Sequence, residues 1–150
     1  MDEPMPTSKK SQAGPLTQWG PLVLILGVLA FYVYGSRSVE EPPGWGHDYQ
    51  AALVEAKASG RNVLLAFHSP GCPPCAAMDR TVLRSEAVRD AMASFVPVRI
   101  DAWESPDVSK RYQVFATPTY VIARPDGTPM SAAHGFLSEE EFVSFLNRPS

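Results

Sequence analysis

The sequence has few of the residues that would support metal binding or nucleic-acid binding. Its 150 residues include only two cysteines and three histidines, whereas a structural zinc site needs about four ligands. The 13 Lys and Arg residues are outnumbered by 16 Asp and Glu residues, which gives a formal net charge of −3. This balance provides no basic surface for nucleic acid. A chain of this length has room for one domain with a sizeable core.

The two cysteines, Cys72 and Cys75, lie where a predicted strand meets a predicted helix. Residues 62–67 (NVLLAF) form a short apolar run that ends before Ser69-Pro70-Gly71, which indicates a buried strand. Pro73 suits the first turn of a helix, because the N–H that proline lacks has no partner there. Free N–H groups and the helix dipole at such a turn favour a thiolate over a thiol.

A Cys-x-x-Cys pair in this setting can exchange thiols and disulfides with a partner protein. As a thiolate, Cys72 attacks the partner's disulfide, and Cys75 then attacks Cys72 and releases the reduced partner. The reverse steps oxidise a partner. The alternatives are a permanent structural disulfide, which would remove little entropy from so short a loop, and a zinc site with too few ligands. Redox exchange is therefore the preferred interpretation.

The prolines between the cysteines predict the direction of exchange. If Cys72 is the N-cap, Pro73 and Pro74 are the first two helical positions. A capping group accepts from the second and third N–H groups, and proline has none to give. Only the Cys75 N–H then remains to stabilise the Cys72 thiolate. A less stabilised thiolate means a more reducing pair, so the sequence leans toward a reductase.

The N-terminal part predicts a membrane anchor. Residues 1–15 are rich in Pro, Ser and Lys, and read as a disordered cytoplasmic tail. Residues 16–35 contain no charge and, as a helix, would span about 30 Å, enough to cross a bilayer. Lys9 and Lys10 precede this segment while only Arg37 follows closely, which places the tail inside. The expected location is the cell inner membrane, single-pass, with the domain on the periplasmic or extracytoplasmic side.

A cleaved signal peptide is the alternative, since Val28-Leu29-Ala30 is an acceptable cleavage site. In both cases the bulk of the chain is exported. Residues 36–46, with Glu40-Glu41-Pro42-Pro43-Gly44, read as a short, stiff linker. Residues 47–150 read as the domain.

The domain pattern alternates strands and helices. The predicted elements are a helix over 47–59, a strand over 62–67, helices over 76–83 and after Ser85, a strand over 95–100, a short helix over 105–112, strands over 119–123 and 130–134, and a last helix after Ser138. Pro97 suggests an edge position for the second strand. Ser138 and Glu141 form a capping box. The pattern indicates an α/β domain with a central mixed sheet flanked by helices.

Several short motifs of this domain together resemble the thioredoxin superfamily. They are Gly71-Cys72-Pro73-Pro74-Cys75, Ala116-Thr117-Pro118-Thr119, Asp126-Gly127 and Gly135-Phe136. The resemblance covers residues 47–147 and extends to exported thioredoxin-like proteins, including the thiol domain of membrane disulfide-reductase transducers. It implies a thioredoxin-like fold that works without a cofactor, exported protein thiols and disulfides as clients, and a membrane partner that resets the cysteines.

The resemblance also implies roles for individual residues. Residues 71–75 are the active-site loop, with Cys72 as nucleophile and Cys75 as resolving thiol. The Thr117–Pro118 bond is implied to be cis and to lie beside the cysteines, where its backbone would hold a partner's chain in extended form. Sequence alone would give an X-Pro bond only about 5–6% cis.

Three positions depart from the thioredoxin pattern. Ala66 stands where most thioredoxins have a buried Asp that helps to remove the proton of the resolving thiol. Gly71 replaces the usual Trp, and Pro73-Pro74 replaces Gly-Pro. A thioredoxin-like reductase rate therefore does not follow from the family resemblance.

Two further residues are candidates for site chemistry. His68 lies four residues before Cys72 and is a possible proton acceptor, although a structural role at the strand end is favoured; His134 is read as structural. Met78 could complete a soft Cu(I) site with Cys72 and Cys75, which would make the protein a copper-delivery module. A methionine at helical spacing is more often part of the core, so oxidoreductase is preferred.

Overall fold

The computed structural model describes residues 16–35 and 41–148, which belong to two separate compact units. The first contains one helix, α1 (Leu16–Gly35), whose apolar side chains from Leu22 to Leu29 are exposed. Within the described ranges, no helix is both long and apolar enough to cross a membrane. The predicted tail (1–15) and residues 36–40 of the predicted linker lie outside the described residues.

The second unit is built on a four-stranded mixed sheet in the order β2-β1-β3-β4. The strands are β1 (Asn62–His68), β2 (Phe95–Asp101), β3 (Thr119–Ala123) and β4 (Pro129–His134). β1 pairs in parallel with β2 and antiparallel with β3, and β3 pairs antiparallel with β4. The ends of β1, β2 and β4 and the start of β3 therefore meet at one edge of the sheet.

Helices cover both faces of this sheet, so the α/β prediction is confirmed. They are α2 (Tyr49–Ser59), α3 (Pro73–Arg80), α4 (Glu86–Met92), α5 (Pro106–Arg111) and α6 (Glu139–Leu146). Side chains alternate along β1 as a strand requires. Leu64 and Ala66 pack on the face that carries α3, α4 and α6. Leu65 and Phe67 pack on the opposite face with α2.

Local capping explains where two helices differ from their predicted bounds. α2 begins at Tyr49 rather than His47, because the Asp48 side chain caps it and accepts from the Gln50 and Ala51 N–H groups. The helix after the cysteines does not run to Leu83. It ends at Arg80, and a separate 3₁₀ turn (Val82–Arg84) follows. The capping box of Ser138 and Glu141 is present as predicted.

Residues 41–46, predicted as part of the linker, lie against the domain, and we call this segment the strap. Gly46 forms a parallel bridge with Val98, and Trp45 is buried in the core that contains Met78. β2 is an outer strand of the four-stranded sheet, as Pro97 led us to expect. The strap covers its outer side.

A hydroxyl network fixes the turn between β3 and β4. The Tyr112 O–H donates to the Gly127 carbonyl at 2.9 Å. Because that hydroxyl has one hydrogen, the 3.0 Å contact between Tyr49 and Tyr112 must be a bond donated by Tyr49. Gly127 has φ +84°, and an added Cβ would lie 3.1 Å from the Tyr49 hydroxyl.

Candidate active site

The two cysteines lie at the sheet edge where β1 gives way to α3. Gly71 has φ +68°, a left-handed conformation that glycine adopts without strain. Cys72 is the N-cap of α3, and Pro73 and Pro74 occupy its first two positions. The Cys75 N–H lies 3.2 Å from the Cys72 sulfur. The predicted cap, with Cys75 as its donor and no N–H at the second position, is therefore confirmed.

Cys72 and Cys75 form a disulfide with an S–S distance of 2.02 Å. Cys72 is half-buried, whereas Cys75 is only 6% exposed. The two cysteines therefore differ in burial, with Cys72 nearer the surface and Cys75 in the core.

The loop before β3 is tied to the loop after β1. The Thr117–Pro118 bond is cis, as the resemblance implied. The Thr117 hydroxyl lies 2.7 Å from the Ser69 hydroxyl. The Pro118 carbonyl accepts from the Gly135 N–H at 2.8 Å. These bonds bring the loops around β1, β3 and β4 together at the edge that carries the cysteines.

His134 supports the same loop through Thr119. The Thr119 O–H donates to the Ala116 carbonyl at 2.8 Å. With its one hydrogen used there, the 3.0 Å contact to His134 Nδ1 requires Nδ1 to be the donor. The structural role predicted for His134 agrees with this contact.

His68 ends β1 beside this edge and is half-buried. Burial, and next the positive charge of Arg99, lower its pKa below the usual 6.5. The imidazole is therefore neutral at neutral pH, as a proton acceptor must be. The role of His68 as a proton acceptor stays a prediction.

A buried ion pair lies over Ala66, and sequence reasoning missed it. Ala66 is paired with Arg99 on one side and with Tyr120 on the other. Arg99 is 8% exposed and binds Asp79 of α3, which is 7% exposed. Its Nη1 and Nη2 lie 2.6 and 3.0 Å from the two carboxylate oxygens. Asp79 thus gives α3 a buried carboxylate four residues after Cys75. The signal was a lone arginine in an apolar strand.

Three aromatic side chains stand exposed in the loops at this edge. Trp103 follows β2, Phe115 precedes the cis bond, and Phe136 follows β4. Their exposed fractions are 73%, 94% and 53%.

Met78 is not placed as a metal ligand. It is fully buried, and its sulfur accepts the Leu137 N–H at 3.4 Å. Among the described residues, no group of three or more His, Cys, Asp or Glu side chains could hold a metal ion. The copper alternative gains no support from this arrangement.

Comparison with known proteins places the chain in a family. Residues 49–148 match the family model of the thioredoxin-like domain, and the chain belongs to that family. Together with the disulfide of Cys72 and Cys75, this makes it a thiol–disulfide oxidoreductase. More particularly, its exchange domain is similar to that of DsbD.

The relatives define the extent of that similarity. The thiol:disulfide interchange protein DsbD of Vibrio cholerae is 27% identical over 107 residues, which are 67% of this chain but 18% of DsbD. A thioredoxin from Thermus thermophilus is 30% identical, with a TM-score of 0.61 over 68% of this chain and 83% of its own. The oxidised C-terminal domain of Neisseria meningitidis DsbD, at 24% identity and a TM-score of 0.57, covers 67% of this chain and 94% of its own and shares the fold.

Proposed function

We propose that this protein is a membrane-tethered thiol–disulfide oxidoreductase that reduces disulfides of exported proteins. The observation that carries the proposal is the asymmetric cysteine pair at the start of α3. Cys72 is the more exposed cysteine and caps the helix, while Cys75 is buried. In this arrangement Cys72 acts as nucleophile and Cys75 as resolving thiol.

Reduction of a client disulfide takes two steps. The Cys72 thiolate attacks one sulfur of a client disulfide, so that a mixed disulfide forms and the client's other sulfur leaves as a thiolate that takes up a proton. Cys75 then loses its proton and attacks the Cys72 sulfur, which closes the Cys72–Cys75 disulfide and releases the client's second thiolate. Two electrons pass from the pair to the client. A dithiol partner in the membrane must return them.

The direction of exchange follows from the cap. Since Pro73 and Pro74 supply no N–H, we expect the Cys75 N–H to be the one donor that the helix start gives to the Cys72 thiolate. Weak stabilisation of the thiolate makes the dithiol a better electron donor. The similarity to DsbD, a thiol:disulfide interchange protein, is consistent with such a role.

Client recognition is assigned to the loops at the same edge. Thr117, which precedes the cis Pro118, offers its backbone groups to an extended chain, and Trp103, Phe115 and Phe136 are exposed in loops at the same edge. We expect clients that present apolar residues next to the reactive cystine.

The location is proposed from the sequence of residues 1–46. The uncharged segment at 16–35, with lysines before it, supports an anchor with the domain outside the cytoplasm. A cleaved signal peptide is the competing proposal. A reporter enzyme that works only outside the cytoplasm should be active when it is fused after Ser150. The protein should also stay in the membrane fraction after an alkaline wash. Release of a shortened chain would show that this segment is a cleaved signal peptide and not an anchor.

Trapping of partners tests the exchange roles. Cys75→Ser removes the resolving thiol and should accumulate mixed disulfides between Cys72 and clients, visible on non-reducing gels. Cys72→Ser is the matched control and should trap none. Equal trapping by both variants would overturn the assigned roles. A reduction potential of the pair more positive than those of its clients would overturn the reductase direction alone.

A further inference from the structure

A buried arginine in β2 binds two carboxylates from two different parts of the chain. Arg99 gives Nη1 and Nη2 to Asp79 of α3. Its Nε lies 3.5 Å from Oε1 of Glu41, in the strap. An arginine that is almost without solvent contact is stabilised by such pairing. One positive charge is thus shared between two negative ones.

Glu41 reaches this arginine because the strap is fixed to the neighbouring backbone. The Arg99 N–H donates to the Gly46 carbonyl at 2.8 Å, so strap and arginine are held together at the main chain. Glu41 Oε1 is inaccessible to solvent and has no hydrogen-bond partner among the described residues. Its other oxygen lies 3.4 Å from Nε2 of the exposed His47. One oxygen therefore faces the interior and the other faces the surface.

The three charges lie next to the redox helix. Asp79 follows Cys75 by four residues in α3, which puts the two side chains on one face of the helix, and both are buried. The electrostatic surroundings of His68, at the end of β1, include Arg99, Asp101, Asp79 and Glu41. Asp101 is turned to its own loop, where it accepts from the N–H groups of Trp103 and Glu104.

We propose that Glu41 is a positioning residue of the redox site, acting through Arg99 and Asp79 to set the charge beside Cys75. Two carboxylates on one guanidinium leave a net charge of −1. A nearby negative charge opposes the formation of thiolates, because like charges repel. The docked strap therefore favours thiols over thiolates and makes the pair more reducing. This inference rests on the proposed roles of Cys72 and Cys75.

The test neutralises Glu41 in the full-length, detergent-solubilised protein. Glu41→Gln keeps the shape and removes the charge. Removing one charge from this cluster should change the proton affinity of the thiols about fourfold, the order expected for partly screened charges in a protein. We expect the pH at half-maximal alkylation of the thiols to fall. We also expect the equilibrium with glutathione at pH 9 to move about fourfold toward the dithiol, which corresponds to about 18 mV. At pH 7, where fewer thiolates form, the shift should be smaller.

Two controls separate charge from packing. Glu41→Asp keeps the charge and should resemble the wild type. Glu55→Gln removes a carboxylate from another arginine pair, 2.7 Å from Arg61 on the surface, and should change neither measurement. An unchanged alkylation profile in a folded Glu41→Gln variant would overturn the proposal. Equal shifts in Glu41→Asp and Glu41→Gln would also overturn it, because packing would then be the cause.

A second variant keeps the test decisive if Glu41→Gln does not fold. His47→Lys places a permanent positive charge beside the outer oxygen of Glu41, at an exposed position. It should lower the alkylation midpoint in the same direction by a smaller amount. No shift, or a shift to higher pH, would overturn the proposal. These measurements follow the two thiols of the protein in the absence of a client, so a failure here is distinct from a failure of Cys75→Ser to trap clients.

Discussion

The hydroxyl of Ser69 lies 2.7 Å from that of Thr117, and this bond joins the loop before the cysteines to the loop of the cis proline. Thr117→Val removes the hydroxyl and nearly preserves the shape. We expect the free energy of unfolding to fall by about 0.5–1.5 kcal/mol, and KM for a disulfide client to rise several-fold because the two loops no longer hold one geometry.

A double-mutant cycle checks that this effect comes from the Ser69–Thr117 bond. Ser69→Ala combined with Thr117→Val should cost less than the sum of the two single changes. Thr128→Val, in the exposed turn after β3, serves as the control and should leave KM unchanged. Strict additivity of Ser69→Ala and Thr117→Val would show that their hydroxyls do not act as a pair.

The second prediction concerns Pro74 at the second position of α3. Pro74→Ala restores an N–H that can donate to the Cys72 sulfur. One hydrogen bond of about 0.5–1.5 kcal/mol to the thiolate should raise the reduction potential by about 10–30 mV. Pro73→Ala restores an N–H at the first position, which does not point at the cap, and should have a smaller effect. A lower potential in Pro74→Ala would contradict the argument for a reductant.

The third prediction concerns the pH dependence of stability through His68. Its pKa is lowered in the folded state, first by burial, so the unfolded state binds the proton at higher pH. The protonation of His68 therefore leaves the free energy of unfolding unchanged above about pH 7. It lowers that free energy as the pH falls below about 6.5. The urea midpoint should drop between pH 7.5 and 5.5, and His68→Asn should reduce the drop. A drop that His68→Asn leaves unaltered would assign the effect to another group.

The fourth prediction concerns the turn glycine Gly127. Gly127→Ala places an alanine at a positive φ, which lowers the free energy of unfolding by about 1–2 kcal/mol. It also brings a Cβ to 3.1 Å from the Tyr49 hydroxyl. Gly60→Ala has the same unfavourable φ, at +70°, but open space around the added Cβ. It should therefore lose only the free energy due to the backbone angle. Urea unfolding should show a larger loss for Gly127→Ala. Equal losses would mean that the tyrosine hydroxyls shift freely.

Local sequence patterns predicted most helices and strands, and they placed the cysteines at a turn between a strand and a helix. The apolar run of β1, the prolines after Cys72 and the capping box at Ser138 are each defined within a few residues, and each formed as expected. Helix ends were harder to predict, because the Asp48 cap and the break at Thr81 are decided by single side chains and backbone angles.

Long-range pairing could not be predicted from such patterns. Nothing local to Asp79 or Arg99 indicates that they meet across 20 positions of sequence. The proline and glycine residues of the strap predict a stiff linker, because they indicate its stiffness and not the residues that it contacts. A charged residue inside an apolar strand, such as Arg99 in β2, does signal that some opposite charge must be buried with it.

The outer side of β2 offers few free backbone groups to another strand. The Phe95 carbonyl accepts from Arg61 at 3.1 Å. Pro97 has no N–H, and its carbonyl accepts from Gly46 at 3.0 Å, while the Arg99 N–H donates to the same glycine at 2.8 Å. An uncovered edge strand is a template for aggregation. The covered side of β2 is therefore protected from strand addition by the extended chain of another protein.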